Sequence, residues 1–275
     1  MAWATIGNLA GAMATYLDRI LEHHRRRAAG DARPLQRLVD SCADLPPARG
    51  FRSALLGLDH LGVIAEVKRR SPSKGALVAD LDPAELAASY ASGGAACLSV
   101  LTDGAHFGGS PTDLAVARSA TSLPVIRKDF TVSLRDVADA RLMGADCVLL
   151  IVAALDDAEL TDFDELAGEL GLDVLVETHD EGEVERAIAR TRATLVGVNQ
   201  RDLVTFAVDR DRAVRVASCI PPTAVKVAES GVRGPGDATA LAAAGYDAVL
   251  VGEHLVTSGD PVAAVRALSV ARRSA

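Results

Sequence analysis

The chain has 275 residues, 49% apolar and only 3% aromatic, so it can bury a large core but must build it from Val, Leu, Ile and Ala. Its 29 basic and 37 acidic residues give a formal charge of −8, which argues against nucleic acid or anionic membrane as a general partner. Cys42, Cys97, Cys147 and Cys219 show no paired spacing, so neither a disulfide framework nor a zinc motif is expected, and reduced thiols in a cytoplasm are.

The chain opens without the basic start or unbroken apolar run of a secretory leader. Its longest apolar run, 145–155 with Asp146 inside it, is too short to span a hydrocarbon layer of about 30 Å. Residues 16–29 read as a helix with an apolar stripe at Tyr16, Leu17, Ile20 and Leu21. His23, His24, Arg25, Arg26 and Arg27 then form a basic patch, read as a solvated helix end rather than a nucleic-acid surface. A second short helix is expected over 35–42, and the Pro-Pro break at 46–47 ends this region. The reading is an N-terminal helical extension, 1–50, packed on a main domain, 51–275.

From residue 61 a regular alternation begins. Apolar, β-prone runs fall at 63–68, 97–101, 125–128, 147–151, 174–177, 195–199, 224–229 and 248–251. Amphipathic helical segments lie between and after them at 83–92, 112–120, 134–143, 159–170, 181–190, 210–218, 235–243 and 261–270. Strands apolar on both faces and alternating with helices imply a parallel sheet under helices, and eight such units close a (β/α)8 TIM barrel. The rival, an open doubly wound sheet, would carry a glycine-rich nucleotide fingerprint, and no G-x-G-x-x-G or G-x-x-x-x-G-K-[ST] occurs.

A barrel places its chemistry at the C-terminal ends of its strands. Those ends here carry Glu66 and Lys68, Lys128, Glu177, Asn199, Glu229 and Glu253. One such residue is more often a salt-bridged strand end, and so many around one mouth point to a site. Strand parity puts Glu66 and Lys68 on one side, but leaves open which of Arg127 and Lys128 faces inward. The small polar loops Glu229-Ser230-Gly231 and Val251-Gly252-Glu253 suit a phosphate group, with a short helix over 254–258 behind it.

These residues carry a family resemblance. Ile64-Ala-Glu-Val-Lys-Arg-Arg-Ser-Pro-Ser-Lys-Gly75, Leu98-Ser-Val-Leu-Thr-Asp103 with Phe107-Gly-Gly-Ser110, and Arg127-Lys-Asp-Phe130 resemble the indole-3-glycerol phosphate synthase family. Val174-Leu-Val-Glu-Thr-His-Asp-Glu181, Gly197-Val-Asn-Gln-Arg-Asp-Leu203 and Ala228-Glu-Ser-Gly231 extend the match over nearly the whole chain. The resemblance implies a carboxy-lyase of tryptophan biosynthesis. It would close the ring of 1-(2-carboxyphenylamino)-1-deoxyribulose 5-phosphate to indole-3-glycerol phosphate, with loss of carbon dioxide and water.

By the same resemblance, Lys128 is the ring-closing general acid and Glu177 a proton-transfer carboxylate. Lys68 and Glu66 form a pair at the first strand, and Asn199 and Glu229 position the substrate. Lys68 or burial would lower the Lys128 pKa, and Lys128→Met would leave the melting temperature near that of the parent. Ser230, Gly231, Gly252 and Glu253 would hold the phosphate, with Ser71 a weaker candidate. Phe107, Phe130, Pro72 and Leu149 would line the ring pocket, with Arg201 near the substrate carboxylate. Phe130 and Leu149 also suit plain core. No cofactor is expected, and no cluster has metal-ligand spacing, so turnover should be indifferent to chelators. The expected partner is a phosphorylated small molecule, with the chain a monomer or weak homo-oligomer. A phosphoribosylanthranilate isomerase type of barrel is disfavoured because Cys97 and Cys147 begin their strands, and a non-catalytic phosphate-binding barrel would tolerate loss of Lys128 or Glu177.

Overall fold

A computed structural model describes residues 15–71, 74–78 and 80–272. Eight parallel strands close a barrel: β1 (Gly62–Val67), β2 (Cys97–Leu101), β3 (Val125–Lys128), β4 (Cys147–Ile151), β5 (Asp173–Thr178), β6 (Leu195–Asn199), β7 (Val225–Glu229) and β8 (Ala248–Val251). They pair in chain order, and β1 meets β8 with Gly62 opposite Ala248 to complete the circle. The Val, Ile, Leu and Ala side chains of these strands are buried on both faces, as covered parallel strands require. Among the described residues, no helix is long and apolar enough to cross a membrane.

Two helices precede the barrel, α1 (Tyr16–Ala29) and α2 (Leu35–Cys42). The outer ring is α3 (Pro83–Gly93), α4 (Pro111–Ala120), α5 (Leu134–Leu142), α6 (Asp157–Glu169), α7 (Glu181–Arg190), α8 (Arg212–Val216), α9 (Pro235–Ala243) and α10 (Pro261–Leu268). Side chains of Asp82, Ser110, Ser133, Asp156, Asp180 and Asp260 cap six of them, each accepting a first-turn backbone N–H. The last helical turn expected over 210–218 tightens into a 3-10 turn at Ala217–Cys219. A two-residue antiparallel ladder, Arg70–Ser71 against Gly75–Ala76, folds the loop after β1 and was not anticipated.

The N-terminal region runs from the barrel's mouth to its base. Thr15 and Asp18 form a capping box that starts α1, and Leu17 and Ile20 join the same apolar core as the strands. The basic run is exposed at His23, Arg25, Arg26 and Arg27, as a solvated helix end requires, but it is not free of the barrel. Arg25 reaches Glu159 at 2.6 Å and the Ala154 carbonyl at 3.0 Å, Arg27 reaches Asp136 at 2.7 Å, and His24 is 2% exposed. Position 24 continues the i, i+4 stripe from Ile20, so α1 lays a histidine where a further apolar residue would sit. At the base, the Arg49 amide donates to Asp146 at 2.7 Å and the Arg52 amide to Asp173 at 2.8 Å. Phe51 and Leu55 are fully buried there and belong to the barrel's core.

Candidate active site

The mouth holds a cavity of about 470 Å³, within the usual range for a small-molecule site. Lys128 ends β3 with its side chain inside, while Arg127 turns outward to the Asp136 carbonyl at 2.8 Å and Asp129 at 2.9 Å. The ambiguity of parity is thus resolved by two sets of partners. Lys128 Nζ donates to Glu177 Oε2 at 2.7 Å and lies 3.3 Å from Glu229 Oε2. Asn199 Nδ2 donates to Glu177 Oε1 at 2.9 Å.

Two glycines make this crowding possible. A Cβ on Gly197 of β6 would stand 2.1 Å from Glu229 Oε1, and one on Gly252 would stand 2.1 Å from Glu66 Oε1. No side chain fits either gap, so backbone gives way to carboxylate at both places. Glu66 is paired with Lys68 at 2.5 Å.

Opposing influences set the proton affinities. Burial works to lower the Lys128 pKa, but attraction to Glu177, Glu229 and Glu66 outweighs it and holds the value well above the usual lysine range. This corrects the expectation of a lowered value, because carboxylates and not Lys68 are the nearest charges. Burial pushes Glu177 up, yet Lys128, His179 and the Asn199 hydrogen bond win and bring it below the usual carboxylate range. Glu229 goes the other way: burial and the Glu177 charge overcome Lys128 and raise it to about 8. Its two carboxyl oxygens are buried without a hydrogen-bond partner among the described residues. Two carboxylates around one ammonium therefore divide into an ionised and a proton-holding member.

The loop after β7 bends sharply, with Ser230 and Gly231 both left-handed at φ 65° and 76°. Gln200 Nε2 braces it by donating to the Ser230 carbonyl at 2.8 Å. Arg210 and Arg233 line this corner, Arg210 donating to the Gly231 carbonyl at 3.3 Å. Neither arginine was singled out from the sequence, since both lie in loops without strand periodicity. Gly252 and Glu253 face the same cavity, and the short helix starts one residue earlier than expected, at Glu253–Val256. The Glu253 carboxylate points to Lys74 at 2.5 Å. Six carboxylates and six ammonium or guanidinium groups line the cavity, so the chain's charge of −8 does not extend to its mouth.

Phe107, Phe130 and Leu149 line the opposite wall, the two rings 6.4 Å apart, and Leu149 serves core and cavity together. Ser71 and Arg201 also line it, the Arg201 guanidinium donating to the Phe206 carbonyl at 3.2 Å. Pro72 lies outside the described residues. Two histidines with no part in the site as read from the sequence stand close to it. His179 stands 3.8 Å from Glu177 Oε1, and His24 approaches Asp103 at 2.8 Å. With His106 these last two form a compact set that no spacing along the sequence reveals.

A closed parallel barrel whose mouth sets one ammonium between two buried carboxylates, beside an apolar wall and a cationic corner, is a (β/α)8 acid–base enzyme for an anionic, partly aromatic ligand. The family model for indole-3-glycerol phosphate synthase matches residues 17–268, and the chain belongs to that family. The indole-3-glycerol phosphate synthase of Nocardioides sp. is 53% identical over 86% of this chain and 91% of its own length. Those of Paenarthrobacter aurescens (52%, covering 82% and 85%) and Mycobacterium ulcerans (48%, covering 94% and 95%) are similarly related. Among solved structures, thiamine phosphate pyrophosphorylase from Pyrococcus furiosus shares the fold, with a TM-score of 0.57 at 16% identity over 79% of this chain and 95% of that one.

Proposed function

We propose that the chain is a carboxy-lyase that closes the indole ring of 1-(2-carboxyphenylamino)-1-deoxyribulose 5-phosphate to give indole-3-glycerol phosphate, carbon dioxide and water. The observation that carries the reading is Lys128 held at 2.7 Å by Glu177 and 3.3 Å from Glu229, at the foot of a cavity with an aromatic wall and a cationic corner. The ring carbon bearing the carboxylate bonds to the ketone carbon while Lys128 hands a proton to the ketone oxygen. A developing alkoxide is a stronger base than any lysine amine, so an ammonium with a raised pKa still serves as the acid. Carbon dioxide then leaves and restores the aromatic ring. The new hydroxyl departs as water with a second proton, and the methylene carbon beside the nitrogen gives up one of its protons, which forms the indole double bond and leaves the nitrogen its hydrogen.

The later proton transfers fall to carboxyl groups of opposite disposition. Glu177, kept ionised, is suited to accept a proton, and Glu229, the proton-holding member with unpartnered oxygens, to engage the substrate's hydroxyls. Asn199 orients Glu177, and Lys68 with Glu66 forms a second ion pair at the mouth. Ser230, Gly231, Gly252 and the Glu253 backbone take the phosphate, aided by Arg210 and Arg233. Phe107, Phe130, Leu149 and Pro72 take the ring, with Arg201 near the carboxylate and Ser71 at the edge. The same reading makes the chain a cytoplasmic monomer or weak homo-oligomer, in keeping with unbridged cysteines.

Turnover of the synthetic substrate, followed by indole fluorescence, tests the activity. Ser230→Asp tests the phosphate corner: a carboxylate there should raise KM at least ~10-fold with a smaller change in kcat. An unchanged KM would put the phosphate elsewhere.

A further inference from the structure

Helix α1 meets the loop after β2 through three side chains that the proposed reaction does not use. His24 Nε2 lies 2.8 Å from Asp103 Oδ2, and His106 Nδ1 lies 2.9 Å from the same oxygen. One donor atom from each residue falls within 4.8 Å of the other two. Asp103 is held rigidly, because its Oδ1 also accepts the His106 amide at 2.6 Å as the cap of the turn Gly104–Phe107. His24 and Asp103 are buried, and the His106 side chain is 19% exposed. His24 Nδ1 is buried with no hydrogen-bond partner among the described residues.

We propose that His24, Asp103 and His106 form a binding site for a divalent transition-metal ion of the zinc and cobalt class, which clamps α1 to the barrel mouth. Two imidazoles and one carboxylate are the donor set such ions favour over magnesium or calcium. Bond lengths of about 2.0–2.2 Å require each imidazole nitrogen to draw back only a few tenths of an ångström from Asp103 Oδ2. The ion takes the place of the protons now shared between the imidazoles and Asp103. Coordination through His24 Nε2 moves that ring's proton to Nδ1, which makes no hydrogen bond that would have to be broken among the described residues. The partly exposed side of His106 leaves a position for water. Asp129 Oδ1, 3.8 Å from His24 Nε2, adds negative charge from below. Because the His24 ring lies 5.4 Å from that of Phe130, the bound ion would rest behind the ring pocket, outside the reacting centre.

The test uses tag-free, metal-stripped full-length protein titrated with cobalt chloride and zinc chloride. Expected are one cobalt ion per chain with visible absorption bands of a nitrogen–oxygen site, and competition by zinc for the same site. The melting temperature should climb with the logarithm of zinc concentration. His106→Phe, at the partly exposed position, and His24→Phe should each weaken binding at least ~10-fold. No stoichiometric binding by the parent protein overturns the proposal, whatever the variants do. So does binding that survives in a folded His106→Phe protein, which would assign the ion to surface histidines such as His23.

Discussion

Lys128 is balanced between burial, which disfavours its charge, and three carboxylates, which demand it. Lys128→Met removes the proton and the charge but keeps an apolar stem, so kcat should fall by ~10²–10⁴-fold in the fluorescence assay. A near-normal kcat would sink the proposed acid. The structure also changes the stability expected of this variant. Without the ammonium, Glu177 and Glu229 face one another uncompensated, and breaking a buried pair costs about 3–5 kcal/mol. The variant should therefore melt several degrees below the parent at a pH well above 8, where both carboxyls ionise, and recover partly as pH falls and Glu229 takes its proton. Glu229→Gln probes the same balance from the other side. Its pKa rises from 4.5 in the unfolded chain to about 8 in the fold, so its favourable contribution is complete below 4.5 and is lost as pH climbs through 8. Replacing it with a neutral amide removes that loss, and the melting temperature of the variant relative to the parent should increase between about pH 5 and about pH 9. A difference independent of pH would mean that Glu229 is not the proton-holding member. Glu177 has the opposite sign: its contribution is present above 4.5 and fades only as pH falls towards its depressed value of about 2.

At the scale of elements, α1 carries more than its apolar stripe suggested. It buries Leu17, Ile20 and His24, and pins itself with Arg25 on Glu159 and Arg27 on Asp136. By contrast, the segment around Arg49 to Leu55 belongs to the base of the barrel, where Arg49 donates to the carbonyls of Arg118, Thr121 and Leu123. A truncation meant to test the mouth should therefore stop before α2 rather than at residue 50. Deleting residues 1–33 should leave a folded barrel by far-ultraviolet dichroism while kcat/KM falls on the order of 10- to 100-fold, since His24 backs Phe130 and Asp103 at the cavity wall. Full kcat/KM in the truncated protein would reduce α1 to a stabilising cap.

For the whole molecule, the closed barrel controls which thiols react. Cys97 and Cys147 begin β2 and β4 inside the wall, where burial raises their pKa far above that of a free thiol, and Cys42 is buried at the end of α2. Cys219 is exposed. A thiol reagent should titrate one cysteine rapidly in the native protein and four after denaturation. Two or more fast thiols would mean that the barrel wall opens readily.

The eightfold alternation, the parallel covered sheet and the ring of polar strand ends were legible in the sequence, because hydrophobic period and turn chemistry are local properties of a few consecutive residues. The acidic, basic and amide residues of the mouth were legible for the same reason: each closes its own apolar strand. Three matters were decided by tertiary structure alone. Whether Arg127 or Lys128 faces inward depends on what stands opposite, and Asp129 and Asp136 claim the one while Glu177 and Glu229 claim the other. The direction of the Lys128 shift depends on distances to carboxylates 49 or more residues away in the chain. The pairing of His24 with Asp103 joins residues 79 apart, and no spacing rule reads across that gap. Periodicity reports which face of an element is buried, but electrostatics between elements depends on separations that only the closed barrel sets.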